Sequence, residues 1–381
     1  MRYPATKLPK VGTTIFTVMS QLALEHKAIN LSQGFPDFDG PSSLLAGVGE
    51  YIASGANQYA PMAGMPVLRE QIAAKVARLY CNPVSDQEVT VTSGATEAIF
   101  DAIAAVVRAG DEVIVFDPAY DSYEPAIALN GGKTVHLQLQ PPSFHIDWQR
   151  LADAITNKTR LVIINSPHNP TGAVLSRADL DQLAEIVRDT DILLLADEVY
   201  EHIVFDGRVH HSFHTHPELY ERSFVISSFG KTYHTTGWKI GYCVAPVPLT
   251  AEFRKVHQYV TFCTSTPMQL ALADVLRDHP EHAEQLPQFY QQKRDQFLQL
   301  MQGSKFQMQP AEGTYFQLAD YSTLSDLSDQ AFCQWLIREA GVAAIPVSVF
   351  CETPPEMRLV RFCFAKGTAT LEQAAQRLRA L

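Results

Sequence analysis

The sequence predicts an α/β protein in which a mostly parallel β-sheet lies between layers of helices. Three observations indicate this fold class. Short runs rich in apolar and β-branched residues recur from about residue 89 to residue 245, the stretches between them are long enough for helices, and 46% of the 381 residues are apolar. Because the runs are apolar at every position rather than at every second one, they suit strands that are buried on both faces.

Two helices and six strands are predicted in this central region. One helix covers 96–108, with Gly110 after it as a C-terminal stop signal, and the other covers 180–188, both on helix-period apolar spacing. The strands are predicted at 89–92, 112–116, 161–165, 192–197, 224–227 and 240–245.

The two flanks differ in character from the central region. Residues 1–45 are rich in glycine and proline, whereas the chain after about residue 275 has amphipathic helical spacing. We therefore predict a large domain over 46–275 and a smaller α+β domain that joins the N-terminal segment 1–45 to residues 276–381. Strand-like pieces of the smaller domain are predicted at 314–318, 342–345 and 359–364.

The charge balance favours a small-molecule partner. The 30 basic and 41 acidic side chains give a net charge of −11, which argues against nucleic acid or an anionic membrane as the main partner. No apolar run approaches the roughly 18 residues that a membrane helix needs, and the N-terminus lacks the apolar core of a signal peptide. We therefore expect a cytoplasmic protein that does not bind membranes.

Cysteine and histidine spacing predicts no metal site. The six cysteines are too scattered for a metal or redox pair and too sparse for a disulfide scaffold, so they are interpreted as reduced packing residues. His210, His211, His214 and His216 lie close together, but without a zinc-binding motif. A solvated loop is the expected structure for this histidine segment.

Polar residues interrupt the apolar pattern where strands end, and ligands bind at such ends in open parallel sheets. The turn 93–96 precedes a helix, so its backbone N–H groups suit a phosphate, although the turn alone is equally typical of simple connections. Asn169 lies between two prolines, where asparagine is often structural. Asp197 ends a strongly apolar strand. Its carboxylate is expected either to meet a cation or hydrogen-bond donor or to cap the N-terminus of a helix.

Lys231 has the most informative surroundings of any charged residue. It lies in a turn after a strand, and its neighbours in segment 227–241 are mostly small or aromatic. This setting predicts a partly dry site in which the amine acts as a nucleophile. Arg361 interrupts the apolar strand 359–364, and a buried guanidinium needs an anion.

Together these residues resemble the class I/II aminotransferases, a fold-type I family that depends on pyridoxal 5′-phosphate. The stretch from Ser228 to Gly241 is similar to the attachment-site signature of that family, and Asn169-Pro170, Asp197-x-x-Tyr200 and Arg361 follow in the family's order. Nearly the whole chain is covered by the resemblance. Segments 32–38, 57–59 and 361–364 resemble the kynurenine/glutamine aminotransferase branch, and most closely its bacterial methionine aminotransferases.

The resemblance implies a role for each cofactor-binding residue. Lys231 would form a Schiff base with the cofactor aldehyde and later act as the base, while Asp197 would pair with the pyridinium nitrogen. Position 239 is a lysine, whereas the class usually has arginine there. A lysine keeps the positive charge but cannot make the planar bidentate hydrogen bonds of arginine to the phosphate. Tyr200 and Asn169 would donate to the ring 3-oxygen, Tyr120 would stack on the ring, and the phosphate would be bound by Ala95, Thr96, Ser228, Lys239 and, from a neighbouring subunit, Tyr59.

The resemblance also implies a substrate site that is shared across a homodimer. Arg361 would hold the substrate α-carboxylate in a bidentate pair, with Gly34 and Asn169 completing that part of the pocket. Phe16, and Phe262 from the neighbouring subunit, resemble positions that contact the substrate side chain. Two such sites would lie across the subunit interface.

Three functions remain open at this level. An aminotransferase would move the amino group of an L-amino acid to a 2-oxo acid, with methionine or aromatic amino acids favoured and glutamine possible. A carbon–sulfur β-lyase acting on cysteine conjugates would bind the same cofactor through the same motifs. A regulator that binds the cofactor without catalysis would need a DNA-binding module and a basic patch, which this acidic sequence does not predict.

Overall fold

Twelve strands and fourteen α-helices form the regular structure of residues 5–381, the part of the chain that the computed structural model describes. The strands are β1 (Ile29–Asn30), β2 (Val89–Thr92), β3 (Glu112–Asp117), β4 (Lys133–Gln138), β5 (Thr159–Asn165), β6 (Leu193–Asp197), β7 (Ser223–Ser228), β8 (Gly241–Val244), β9 (Phe316–Asp320), β10 (Val342–Ala343), β11 (Ile345–Pro346) and β12 (Leu359–Cys363). The helices are α1 (Ile15–Glu25), α2 (Ser42–Ala53), α3 (Pro66–Tyr80), α4 (Ala95–Val106), α5 (Tyr123–Leu129), α6 (Trp148–Ala154), α7 (Arg177–Val187), α8 (Pro217–Tyr220), α9 (Phe229–Thr232), α10 (Val247–Val260), α11 (Thr266–Asp278), α12 (Glu281–Leu300), α13 (Asp329–Ala340) and α14 (Thr368–Arg379).

A seven-stranded sheet with the order β2-β8-β7-β6-β5-β3-β4 forms the centre of the molecule. Strand β8 runs antiparallel to both of its neighbours, and the other six strands share one direction. Alternate residues of β5 enter two separate apolar cores, with Val162 and Ile164 on one face and Leu161 and Ile163 on the other. Both faces of the sheet are therefore covered, which confirms the predicted α/β class.

The six predicted strands of the central region are all present, but one further strand was missed. The missed strand is β4, which lies at the edge of the sheet and has no fully buried residue. Its polar side chains reach solvent, so it lacks the unbroken apolar pattern of its neighbours. The predicted stop at Gly110 is wrong, because α4 ends at Val106 and Gly110 lies in the following turn with φ +90°.

Residues from both ends of the chain share a second core. Strand β1 pairs with β10 in parallel, and Met19 and Leu31 pack in one apolar cluster with residues of α12, α13 and α14. A three-stranded antiparallel sheet with the order β11-β12-β9 lies in this part of the chain. The predicted strands there are present, the second of them split into β10 and β11. The domain boundaries at residues 45 and 275 stay a prediction, and residues 1–4 lie outside the described part.

Three of the four histidines in the segment, His210, His214 and His216, are buried and His211 is half-buried, so the predicted solvated loop is wrong. His210 lies 3.0 Å from a carboxylate oxygen of Glu198, and the ring of His214 stacks on Tyr80 with 5.8 Å between centroids. Burial lowers the pKa of His214 to about 4, which keeps the imidazole neutral. A neutral histidine of this kind packs like an aromatic residue. The sequence pattern does not reveal this, because histidine is counted there as a polar residue.

The cysteines are free, and three of the six, Cys243, Cys333 and Cys363, are buried. This agrees with the expected packing role for those three, whereas Cys81 is exposed. Within residues 5–381, no helix has both the length and the apolar character that crossing a membrane requires.

A buried ion pair connects α3 to the large sheet. Lys75 Nζ lies 2.6 Å from Glu201 Oε1 and also donates to the hydroxyl of Tyr242 on β8 at 2.6 Å. The hydroxyls of Ser227 and Tyr80 donate to the same carboxylate. Burial alone would raise the pKa of Glu201, but Lys75 lowers it well below its ordinary value. The Glu201 carboxylate therefore stays ionised inside the protein.

We predict that Lys75→Met destabilises the protein by about 3–5 kcal/mol, because it leaves the buried Glu201 carboxylate without its cation. Chemical denaturation of the variant and the parent measures the change. Lys255→Met is the matched control, since Lys255 pairs with Glu252 on an exposed surface and its loss is expected to cost less than about 1 kcal/mol. Equal effects of the two substitutions would contradict the assignment.

Candidate functional site

The register of the large sheet brings the polar strand ends together at one edge. Asn165 pairs with Asp197 between β5 and β6, and Ser228 pairs with Gly241 between β7 and β8. A cavity with an empty volume of about 650 Å³ opens at this edge. Nine of the ten cofactor-binding residues predicted from the sequence line it: Ala95, Thr96, Tyr120, Asn169, Asp197, Tyr200, Ser228, Lys231 and Lys239.

Lys231 presents an amine to this cavity. The residue lies in the short helix α9, and its Nζ donates to the carbonyl oxygen of Gly34 at 3.4 Å. The rings of Tyr200 and Tyr315 each lie 5.5 Å from the amine, measured to the ring centroids. Burial lowers the pKa of Lys231 to about 8, so a useful fraction of the amine is neutral and nucleophilic near neutral pH.

Asp197 presents a carboxylate at the end of β6. The hydroxyl of Tyr123 donates to its Oδ2 at 2.6 Å, and the Asn165 side chain donates to its backbone carbonyl at 2.8 Å. Burial raises the pKa of Asp197 to about 6. A buried carboxylate whose nearest side-chain donor is a neutral hydroxyl is suited to pair with a cationic ligand atom.

The N-terminus of α4 forms an anion site at one end of the cavity. Gly94 is the N-cap with φ +80°, and no side chain bonds to the first N–H groups of this helix. A Cβ at Gly94 would lie 3.2 Å from the ammonium of Lys239, so the cation stands beside the helix end. Free N–H groups, the helix dipole and an ammonium together favour a phosphate. The hydroxyl-bearing Ser228 lines the same cavity.

Arg361 lies on β12 and is 1% exposed. Its Nη1 donates to Asn169 Oδ1 at 2.7 Å and its Nη2 to the carbonyl of Ser32 at 3.2 Å, while its buried Nε has no partner. Burial lowers the pKa of this guanidinium. A buried guanidinium with a free N–H retains the capacity to bind a carboxylate.

Two further residues predicted for the substrate pocket, Phe16 and Gly34, lie near this arginine and Lys231. The Phe16 ring centroid is 5.5 Å from the Arg361 guanidinium carbon. Gly34 leaves no room for a side chain, because a Cβ there would lie 2.6 Å from the Phe316 ring. Its carbonyl also accepts from the Tyr315 hydroxyl at 2.6 Å.

Three side chains of the site were missed in the sequence. Asn165 accepts the backbone N–H of Asn169 at 2.8 Å and donates to the Asp197 carbonyl. The hydroxyl of Tyr123 donates to the Asp197 carboxylate, and that of Tyr315 donates to the Gly34 carbonyl. Asn165 was detectable as the polar end of a predicted strand. The two tyrosines carry no local signal, because their partners are 74 and 281 residues away in the chain.

Tyr59 and Phe262 do not line the cavity. Their rings contact each other edge to face at 5.5 Å, and Tyr59 is 85% exposed. Within this chain they form an aromatic pair on the surface. Their contribution to the site of a neighbouring subunit stays a prediction.

Two groups within residues 5–381 bring three acidic or histidine ligand atoms to within 4.8 Å of one another. Neither group includes the histidine segment 210–216, and neither lines the cavity. The expectation that the protein uses no metal stays a prediction. The groups are Glu97, Asp101 and His257, and Glu124, His136 and Glu352.

Comparisons with known proteins agree with this geometry. The family described as aminotransferase class I and II matches residues 26–378. The chain is 57% identical to a methionine aminotransferase of Escherichia coli K12, over 99% of this chain and 98% of that protein. It is 33% identical to human kynurenine–oxoglutarate transaminase 1, over 98% and 97% of the two chains.

A solved structure extends the similarity to three dimensions. YbdL from Escherichia coli, described as having a methionine aminotransferase function, superimposes with a TM-score of 0.98 at 56% identity over the full length of both chains. Members of this family depend on pyridoxal phosphate and share the fold-type I architecture, which confirms the resemblance found in the sequence. The chain therefore belongs to the class I and II aminotransferases and is a pyridoxal phosphate-dependent enzyme of that family.

Proposed function

We propose that this enzyme transfers the amino group of methionine to a 2-oxo acid, with aromatic amino acids and glutamine as further donors. The observation that carries the proposal is the aromatic surround of Arg361, whose guanidinium carbon lies 3.8, 5.5 and 5.7 Å from the ring centroids of Phe316, Phe16 and Phe350. A donor whose α-carboxylate pairs with Arg361 would place its side chain among neutral rings. The similarity to a protein named methionine aminotransferase supports the same donor.

The cavity fits pyridoxal phosphate because it combines an amine, a carboxylate and an anion site. When bound, the cofactor supplies an aldehyde that reacts with amines and a ring that takes up the electron pair left on the substrate Cα. Lys231 would attach to the aldehyde, and Asp197 would pair with the ring nitrogen. We assign the ring 3-oxygen to Tyr200 and Asn169, ring stacking to Tyr120, and the phosphate to Ala95, Thr96, Ser228 and Lys239.

The substrate would be bound by one buried basic side chain and deprotonated by another. Arg361 remains charged and holds the α-carboxylate, with Gly34 and Asn169 beside it. Lys231, with a pKa of about 8, would take the proton from the substrate Cα and deliver it to the cofactor carbon that carries the aldehyde. Because both side chains are withdrawn from bulk water, the proton would pass between substrate and cofactor rather than to solvent.

The exposed aromatic residues support a homodimer. Tyr59 and Tyr259 are 85% and 89% exposed, and Phe262 is 37% exposed beside Tyr59. Exposed aromatic clusters of this kind are typical of protein interfaces. In the proposed dimer, Tyr59 of the partner subunit binds the phosphate and the partner's Phe262 contacts the donor side chain. The cytoplasmic location stays a prediction.

The β-lyase alternative is not favoured, since the similar proteins described above carry aminotransferase names. A direct test offers single L-amino acids with a 2-oxo acid to the holoenzyme and measures the amino acid formed. We expect methionine to give the highest kcat/KM and Lys231→Ala to give no turnover. Rapid pyruvate release from β-chloroalanine, with no transamination of methionine, would contradict the proposal.

Borohydride treatment of the holoenzyme tests the assignment of the lysine independently. Reduction is expected to fix the cofactor on the peptide that contains Lys231, because a reduced carbon–nitrogen bond survives digestion. Peptide mapping by mass spectrometry locates the label. A label on Lys239, or on neither lysine of cofactor-saturated protein, would contradict the assigned role.

Arg361→Lys is predicted to reduce kcat/KM for methionine about 10- to 100-fold, because one ammonium replaces a bidentate charged pair. Steady-state kinetics measures the change. The matched comparison uses 3-(methylthio)propylamine, which has the same side chain without the carboxylate. Its kcat/KM is expected to be unchanged, and an equal loss with both donors would show that the arginine acts otherwise.

Tyr123→Phe is predicted to move the acid limb of the kcat/KM profile to higher pH. The Tyr123 hydroxyl stabilises the ionised form of Asp197, so its removal raises the pKa of that carboxyl above the present value of about 6. The ionised form is then lost earlier as the pH falls. Tyr51→Phe, which removes a hydroxyl from Asp274 on α11, is the control and should leave the profile in place.

A further inference from the structure

A buried charged cluster lies directly behind the proposed phosphate site. It consists of Glu97 and Asp101 on α4 and His257 on α10, whose side chains are 7%, 0% and 0% exposed. His257 Nδ1 lies 2.7 Å from Glu97 Oε1 and 3.5 Å from Asp101 Oδ2. Burial alone would lower the pKa of His257, but the two carboxylates raise it to about 9. The imidazole is therefore a cation near neutral pH.

The side chains of the cluster bond to the turn before the α4 N-terminus and to the segment that carries Tyr59. The second carboxylate oxygen of Glu97 accepts the backbone N–H of Ser93, in the turn before the α4 N-terminus. His257 Nε2 donates to the carbonyl of Met62 at 2.9 Å, three residues beyond Tyr59. The backbone N–H of Phe262 bonds to the His257 carbonyl at 3.0 Å. The imidazole thus joins the phosphate turn, through Glu97, to the segment that carries Tyr59, whereas the bond to Phe262 is made by the backbone of residue 257.

The charges of this cluster affect how strongly the neighbouring turn can bind a phosphate. Glu97 lies in the first turn of α4, and its carboxylate accepts the Ser93 N–H, so it lies beside the turn that is proposed to bind the phosphate. An unpaired carboxylate there would repel a phosphate dianion across a poorly solvated region. The imidazolium of His257 offsets this charge and at the same time keeps Glu97 on the Ser93 N–H. A purely apolar contact between α4 and α10 would fill the same space, but it would neither offset the Glu97 charge nor hold the Glu97 carboxylate on the Ser93 N–H.

We propose that His257 is a positioning residue for the cofactor phosphate, which neutralises Glu97 and holds the α4 N-terminus in register with the Tyr59 segment. The inference rests on the proposed placement of the phosphate at Ala95, Thr96 and Lys239. It concerns affinity for the phosphate group in particular. Binding of the pyridine ring, which is assigned to Asp197, is independent of it.

The test compares how tightly the apoenzyme binds pyridoxal phosphate and pyridoxal, which lacks the phosphate. In the parent, the phosphate form should bind far more tightly. In His257→Leu we expect this preference to fall at least about tenfold, because the Glu97 charge is left uncompensated. The double variant Glu97→Gln/His257→Leu should recover most of the preference, since it removes the carboxylate bonded to the phosphate turn and leaves only Asp101, one helical turn farther along α4. Absorbance titration of each apoenzyme gives the dissociation constants.

His210→Leu is the matched control, because it also removes a buried histidine from a carboxylate, Glu198, but away from the phosphate turn. It should leave the preference for the phosphate form unchanged. If His257→Leu does not fold, His257→Gln replaces it, keeping a hydrogen-bond donor and removing the charge.

Equal weakening of both ligands in the His257 variant, or no recovery in the double variant, would overturn the proposal. A parent enzyme that binds pyridoxal as tightly as pyridoxal phosphate would instead refute the phosphate site itself. The two failures are thereby distinguished.

Discussion

The hydrogen bond from Arg361 to Asn169 joins the two parts of the site. Arg361 belongs to the antiparallel sheet near the C-terminus, whereas Asn169 follows β5 of the large sheet. Asn169 is held by Asn165, which also holds the backbone of Asp197. In the proposed function, a substrate carboxylate at Arg361 and a cofactor ring at Asp197 would thus be positioned by one continuous set of hydrogen bonds. Rigid support of this kind fixes reacting groups relative to each other.

Burial acts on the acid and the base of the site in opposite senses. It raises the pKa of Asp197 to about 6 and lowers that of Lys231 to about 8, so both groups shift toward their neutral forms. The same loss of solvation penalises each charge. Both shifts suit the proposed roles, in which Asp197 would pair with the protonated ring nitrogen of the cofactor and Lys231 would attack its electrophilic carbon as a free amine.

The sequence predicted most of the large sheet, because its strands are apolar on both faces. Strand β4 escaped detection since its edge position leaves polar residues in solvent. Residues with family-like motifs, such as Lys231 and Asp197, fall in one cavity. Tyr123 and Tyr315 were not predicted because their contacts exist only in the folded chain. The histidine segment was misjudged, since Glu198 and Tyr80, which bury it, lie elsewhere in the sequence.

The reversed direction of β8 has a consequence for how the cofactor site is assembled. Because β7 and β8 are antiparallel neighbours, both ends of the connection between them meet at the same edge, where Ser228 faces Gly241. Ser228, Lys231 and Lys239 are therefore delivered by one hairpin. A parallel β8 of four residues would carry its first residue to the opposite edge, roughly 13 Å away. Changing the length of this hairpin would alter the proposed attachment point and two proposed phosphate ligands together, while Asp197 would stay in place.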